Sequence, residues 1–99
     1  MGVIEARLAE RGLILPPAFE APPGARYPFP DVNIRGRVAD VSGHGPQEHD
    51  GSIVGPFGKV DDVVSPAEAV LLARKTGLSM LGSLFRALGD LDRIEGWAR

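Results

Sequence analysis

The chain has 99 residues, a formal net charge of -2, 24% charged residues and no cysteine. This length fits a single domain with a modest core. The slightly acidic balance disfavours a nucleic-acid-binding face, and the lack of cysteine excludes disulfides, a thiol nucleophile and cysteine-based zinc sites.

The N-terminal segment is predicted to be a short helix followed by a linker. Val3, Ile4 and Leu8 fall on one face of a helix that would run from Val3 to Arg11, and Gly12 would end it. Prolines at 16–17 and 22–23 favour an extended connection. We therefore divide the chain into a helix and Pro-rich linker at 1–21 and a main domain at 22–99. We expect a cytoplasmic protein because no secretory leader and no membrane-spanning run is visible.

A β-hairpin is predicted between residues 27 and 43. Val32 and Ile34 alternate with polar residues, Gly36 marks a tight turn, and a second strand would run through Val38 and Val41. Residues 53–54 are candidates for a short third strand.

The strongest signal is a long helix beginning after Ser65. Ser65, Pro66 and Glu68 form the pattern of a capping box with proline at the first helical position, and Gly89 would end the helix. Large apolar residues recur at spacings of three and four between Val70 and Leu88, so this stripe is expected to lie on a sheet that includes the hairpin. After Gly89, apolar residues at 91, 94 and 97 suggest the start of another strand.

Residues that could carry chemistry are few. His44, Glu48, His49 and Asp50 are candidate metal ligands, but Pro46 prevents a helix there, so a solvated loop without a metal is favoured. The glycines and lysine at 51–59 do not have the spacing of a phosphate loop.

Three other side chains have competing interpretations. Ser42 is interpreted as a strand-end serine bonded to the backbone, with lining of a small-molecule cleft together with Gly43 as the alternative. Tyr27 and Phe29 would cover the open side of the hairpin or form the wall of an apolar pocket.

The order of four segments resembles the Rid family, which is also called YjgF-like or endoribonuclease L-PSP-like. The segments are residues 41–46 (VSGHGP), 55–60 (GPFGKV), 65–68 (SPAE) and 87–94 (ALGDLDRI). The resemblance covers about residues 22–99. It implies an α+β, chorismate mutase-like fold, with an antiparallel hairpin and a long crossover helix packed on the sheet, and it implies that the domain is incomplete at its C-terminal end.

The resemblance also implies an activity and an assembly. Active members hydrolyse enamines and imines such as 2-aminoacrylate to a keto acid and ammonia, usually as homotrimers with clefts between subunits and without a cofactor. Ser42 and Gly43 match the strand-end pair beside the cleft, and Phe29 or Tyr27 matches the aromatic residue that covers it. The arginine and glutamate of the family site would lie beyond residue 99, so no catalytic residue is assigned here.

Two functions follow as expectations. The first is a Rid-type imine or enamine deaminase that is inactive as this 99-residue chain. The alternative is a non-catalytic, trimeric module that binds small metabolites. In both cases the partner is a small molecule, with no nucleic acid and no membrane.

Overall fold

The computed structural model describes residues 2–97 and shows a mixed α+β fold. Helix α1 precedes two strands, β1 and β2, which are followed by a long helix α2 and a 3-10 helix. Their bounds are Val3–Glu10, Val32–Arg35, Val38–Val41, Pro66–Leu88 and Leu91–Arg93. No helix in this described part is both long and apolar enough to cross a membrane.

The predicted hairpin is confirmed. Strands β1 and β2 pair antiparallel, with Val32 opposite Val41 and Arg35 opposite Val38. Gly36 takes a φ of 60° in the turn, a conformation that glycine adopts without a steric cost. A cross-strand ion pair joins Arg35 to Asp40 at 2.7 Å on the solvent side.

The long helix α2 is also confirmed, together with both of its ends. The Glu68 amide donates to Ser65 Oγ at 3.1 Å and the Ser65 amide donates to Glu68 Oε1 at 3.0 Å, which completes the capping box. The Ser65 amide, and after it the Ser65 hydroxyl, holds the pKa of the Glu68 carboxyl below its usual value. At the other end, Gly89 adopts a left-handed φ of 79° and its amide donates to the Phe85 carbonyl at 2.7 Å.

Two strand predictions are wrong. Residues 53–54 do not form a third strand, because Ile53 makes only an isolated bridge with Gln47. After Gly89 the chain turns into the 3-10 helix instead of a strand, and Leu91 becomes fully buried there. Trp97 remains 66% exposed. The 3-10 turn is favoured because it buries the Leu91 side chain while the Leu91 amide donates to Glu5 Oε1 on α1.

The apolar stripe of α2 is covered unevenly. Leu84 is 2% exposed, whereas Val70 and Leu71 near the start of the helix are more than half exposed. Helix α2 neighbours β1 but leaves the hairpin largely open, so that Ile34 and Val38 are about half exposed. The expected sheet across the whole stripe is therefore not realised: the C-terminal half of α2 is covered mainly by the linker at Pro16 and by the loop that carries His44 and Gln47.

Between the helices and the loop before α2 lies a small core. Its buried apolar side chains are Val64, Leu84 and Leu91. The extended linker crosses α2 at Gly82, where a Cβ atom would come within 2.9 Å of the Pro16 carbonyl oxygen. Arg86 fixes the same carbonyl by donating to it at 3.1 Å.

Candidate functional site

A cleft of about 210 Å³ opens between the hairpin end, the loop that follows it and helix α2. Its lining combines aromatic rings from the linker region with polar groups from the loop and the helix. The residues are Phe19, Tyr27, Phe29, Asp31, Gly43, His44, Gly45, Gln47, Ile53, Ser79 and Ser83. A larger hollow of about 470 Å³ at residues 26–30 is lined by one stretch of loop only, so it brings no groups together from different elements.

One wall of the cleft is a row of three aromatic rings. Phe19 stacks on Tyr27 with ring centroids 6.0 Å apart, and Tyr27 stacks on Phe29 at 5.8 Å. These separations are typical of offset aromatic pairs, which prefer to slide past one another instead of overlapping fully. The row presents flat apolar surface beside the polar floor, an arrangement suited to a small planar ligand.

The floor of the cleft is held by Gln47. Its side-chain nitrogen donates to the carbonyl oxygens of Gly51 at 2.8 Å and Pro17 at 3.2 Å. Its side-chain oxygen accepts the hydroxyl of Ser79. Gln47 is 6% exposed and therefore ties the linker, the loop and α2 together through a buried amide whose polar atoms are satisfied.

His44 links the strand end to α2. Its Nδ1 lies 2.6 Å from the carbonyl oxygen of Ser42, and its Nε2 lies 2.7 Å from Ser83 Oγ. Since a carbonyl oxygen can only accept, Nδ1 must carry the hydrogen. In the neutral ring Nε2 then accepts the Ser83 hydroxyl proton. Arg86 in turn donates to Ser83 Oγ at 3.1 Å.

The resemblance selected four residues, and three of them line this cleft. Tyr27, Phe29 and Gly43 do so, whereas Ser42 does not. The Ser42 hydroxyl donates to the main chain of β1 and its approach, with Asp31 O at 2.8 Å and Pro30 O at 3.1 Å. The interpretation of Ser42 as a strand-end serine bonded to the backbone is confirmed.

The loop considered as a metal site does not gather its ligands. Glu48 pairs with Lys75 at 2.7 Å, and Asp50 accepts the amide and hydroxyl of Ser52. Those bonds from Ser52 hold the pKa of Asp50 below its usual value. His44 turns away to Ser83. Within residues 2–97, the acidic groups that do converge are Glu5, Asp90 and Asp92, which close α1 onto the 3-10 helix.

Sequence reasoning missed the residues that α2 contributes. Ser79 and Ser83 are four residues apart and lie on the buried side of the helix, with 2% and 4% exposure. Residues at this spacing lie on the same face of a helix. Two serines within an apolar stripe could therefore have indicated that this face contributes polar groups to a cleft. Phe19 and Gln47 carried no such periodic signal.

Comparison with known proteins adds no assignment. No family model matches the chain, and no curated protein and no solved structure matches it.

Proposed function

We propose that this chain is part of a Rid-type domain that hydrolyses small imines and enamines in the cleft beside Gly43. The proposal rests on the fact that residues from separate segments lie together in one cleft. Tyr27, Phe29 and Gly43, which the family resemblance selects from separate segments, line one cleft of about 210 Å³. A volume of this size suits a substrate of a few non-hydrogen atoms, such as 2-aminoacrylate.

The proposed reaction needs little from the protein beyond binding and proton transfer. The enamine is protonated on carbon to give the imine, water adds to the imine carbon, and ammonia leaves to give the keto acid. The aromatic row would cover the planar conjugated substrate and exclude bulk water from it. Polar groups on the floor would orient the attacking water, and the Asp31 carboxylate in the lining would accept its proton.

A carboxylate anchor is missing from the cleft as it stands. No lysine or arginine is among the cleft residues in the described part of the chain, where Asp31 and His44 are the ionisable groups besides Tyr27. An anionic substrate needs a cation, and arginine is the side chain best suited to bind a carboxylate through two hydrogen bonds. We therefore propose that the 99-residue chain alone does not turn over 2-aminoacrylate.

The experiment compares the chain with a variant, I53R, that places an arginine in the cleft lining. A lyase generates 2-aminoacrylate continuously from serine, and pyruvate release is followed with the 99-residue chain or with I53R. We expect acceleration with I53R only. Turnover by the 99-residue chain would contradict the missing anchor, and inactivity of both would contradict the deaminase assignment.

The second candidate is a non-catalytic module that binds small metabolites. The absence of a cationic anchor among the described cleft residues favours it. Titration of the I53R variant with pyruvate and 2-ketobutyrate, monitored by NMR shifts of Gly43 and the aromatic rings, separates the two. Binding without turnover supports the module, whereas binding with turnover supports the enzyme.

For both candidates we propose a homotrimer. The hairpin supports an assembly because Ile34 and Val38 expose about half of their surface, and no other strand in residues 2–97 pairs with the outer edge of β1 or β2. Light scattering coupled to size exclusion measures the mass directly. A monomer at micromolar concentration would contradict this part of the proposal.

A further inference from the structure

The pair formed by Ser83 and His44 has the arrangement of a nucleophile and its general base. Their side chains are 2.7 Å apart, within the range over which a histidine takes the proton of an attacking serine. Both residues line the cleft, so the pair borders the space that a ligand would occupy. Imine hydrolysis by water needs neither a serine nucleophile nor an acyl intermediate, so the pair is left unused by the function proposed above.

The orientation of His44 is fixed by a third group. The Ser42 carbonyl, 2.6 Å from Nδ1, holds the tautomer in which Nε2 has a free lone pair directed at Ser83. In serine hydrolases a carboxylate performs this orienting task, and it also stabilises the imidazolium that forms. The Ser42 carbonyl oxygen orients the ring in the same way, and its partial negative charge takes the place of the full charge of a carboxylate.

Charge that develops on oxygen has donors nearby. Arg86 donates to Ser83 Oγ at 3.1 Å and favours the serine in its alkoxide-like state. Gly43 and Gly45 also line the cleft, and within residues 2–97 their amides make no hydrogen bond to another protein group. Backbone amides without a partner in the lining of the same cleft are suited to stabilise an oxyanion that forms there.

We infer that the cleft carries a second, acyl-transfer activity in which Ser83 is the nucleophile and His44 is the general base. Ser83 Oγ attacks the carbonyl carbon of a small ester while His44 Nε2 takes the hydroxyl proton. The carbon–oxygen bond to the leaving alcohol breaks and His44 returns the proton to it. Water then hydrolyses the acyl-serine by the same proton path, which regenerates the serine and releases a carboxylic acid.

The lining also restricts the substrate. A volume of about 210 Å³ admits a short acyl chain, and the aromatic row favours a flat, apolar leaving group. Asp31 in the lining disfavours anions. Small neutral aryl esters such as 4-nitrophenyl acetate are the expected class, which contrasts with the anionic imine of the deaminase reaction.

The test uses a neutral fluorophosphonate, which phosphonylates activated serines with loss of fluoride and needs no turnover. The folded 99-residue chain is incubated with the probe, and the labelled residue is located by peptide mass spectrometry. We expect one adduct, on Ser83. The S83A variant should abolish it, H44A should slow its formation by about 10²-fold or more, and S52A, a change in an exposed loop, should leave the rate unaltered.

Three outcomes would overturn the inference. They are an adduct on Ser42 or Ser79, equal labelling of S83A, and no labelling of a chain whose circular dichroism matches that of a folded protein.

A fourth variant, H44Q, keeps a hydrogen-bonding side chain next to Ser83 but cannot accept a proton as histidine does. Its labelling rate should fall as far as that of H44A, so loss of rate in H44A alone would indicate a structural role. The result is independent of pyruvate release, so it distinguishes this activity from the proposed deaminase.

Discussion

The carboxylate of Asp92 accepts the main-chain N–H groups of Val3 at 2.7 Å and Ile4 at 2.9 Å, across almost the whole length of the chain. The first turn of any helix leaves such donors without partners inside the helix. In return, Glu5 on α1 accepts the amide of Leu91 at 2.7 Å. The two ends of the described chain are thus joined by hydrogen bonds between carboxylates and main-chain amides.

We expect D92A to lower the thermal midpoint and to detach α1, because two helix N-terminal donors lose their acceptor. The same bonds, from Ile4 and then Val3, hold the pKa of Asp92 below its ordinary value of 3.8. A depressed folded-state pKa means that the stabilisation is present above about pH 4 and is lost as the pH falls through the folded value. Melting curves between pH 2.5 and 7 should show a smaller acid-dependent loss in D92A than in the parent. The control is D62A, since Asp62 is an exposed aspartate in the turn before α2. An unchanged pH profile in D92A would contradict the assignment.

Two glycines of α2 should respond in opposite directions to alanine. Gly77 has no atom within 4 Å of the position that a Cβ would take, so G77A should stabilise the protein by up to about 1 kcal/mol through higher helix propensity. At Gly82 the new methyl would come within 2.9 Å of the Pro16 carbonyl, so G82A should lower stability. Urea unfolding monitored by circular dichroism measures both. Stabilisation by G82A would show that the linker does not cross α2 there.

Leu84 is expected to supply most of the apolar anchoring of α2. Truncation of a fully buried leucine to alanine costs about 2–5 kcal/mol. Leu71 lies on the same helix but is 54% exposed, so L71A should change stability by less than about 0.5 kcal/mol. Because the buried core holds few other apolar side chains, we expect L84A to be largely unfolded at 37 °C. Equal effects of the two variants in chemical denaturation would place the core elsewhere.

The aromatic row is expected to contribute to ligand binding in the cleft and not to the stability of the fold. Phe29 stacks on Tyr27 at 5.8 Å but is 54% exposed, so F29A should weaken binding of a small planar ligand about 3- to 10-fold, the loss of one aromatic contact of about 0.5–1.5 kcal/mol. The matched control is F57A, since Phe57 is exposed and lies outside the cleft. Titration by NMR with a keto acid, with both changes made in the I53R background, gives the dissociation constants. Equal affinities of the two variants would remove Phe29 from the site.

Sequence patterns alone could not predict most of the candidate site. Tyr27, Phe29 and Gly43 were selected through a family resemblance, and they line the cleft. The contacts of His44 with Ser83 and of Gln47 with Ser79 join residues 39 and 32 positions apart. A histidine in a proline-containing loop has many possible partners, and only the packing of that loop on α2 selects one of them.

The sequence by itself determined the hairpin and both ends of α2. Their signals are local: glycine at the turn position of a two-strand pattern, and a capping box whose partners are three residues apart. Tertiary structure alone decided that the segment after Gly89 turns into a 3-10 helix and that half of the α2 stripe stays exposed. Both outcomes depend on which distant groups can satisfy a buried amide or cover an apolar face. Glu5 provides such an acceptor for Leu91, while no described element covers Val70 and Leu71.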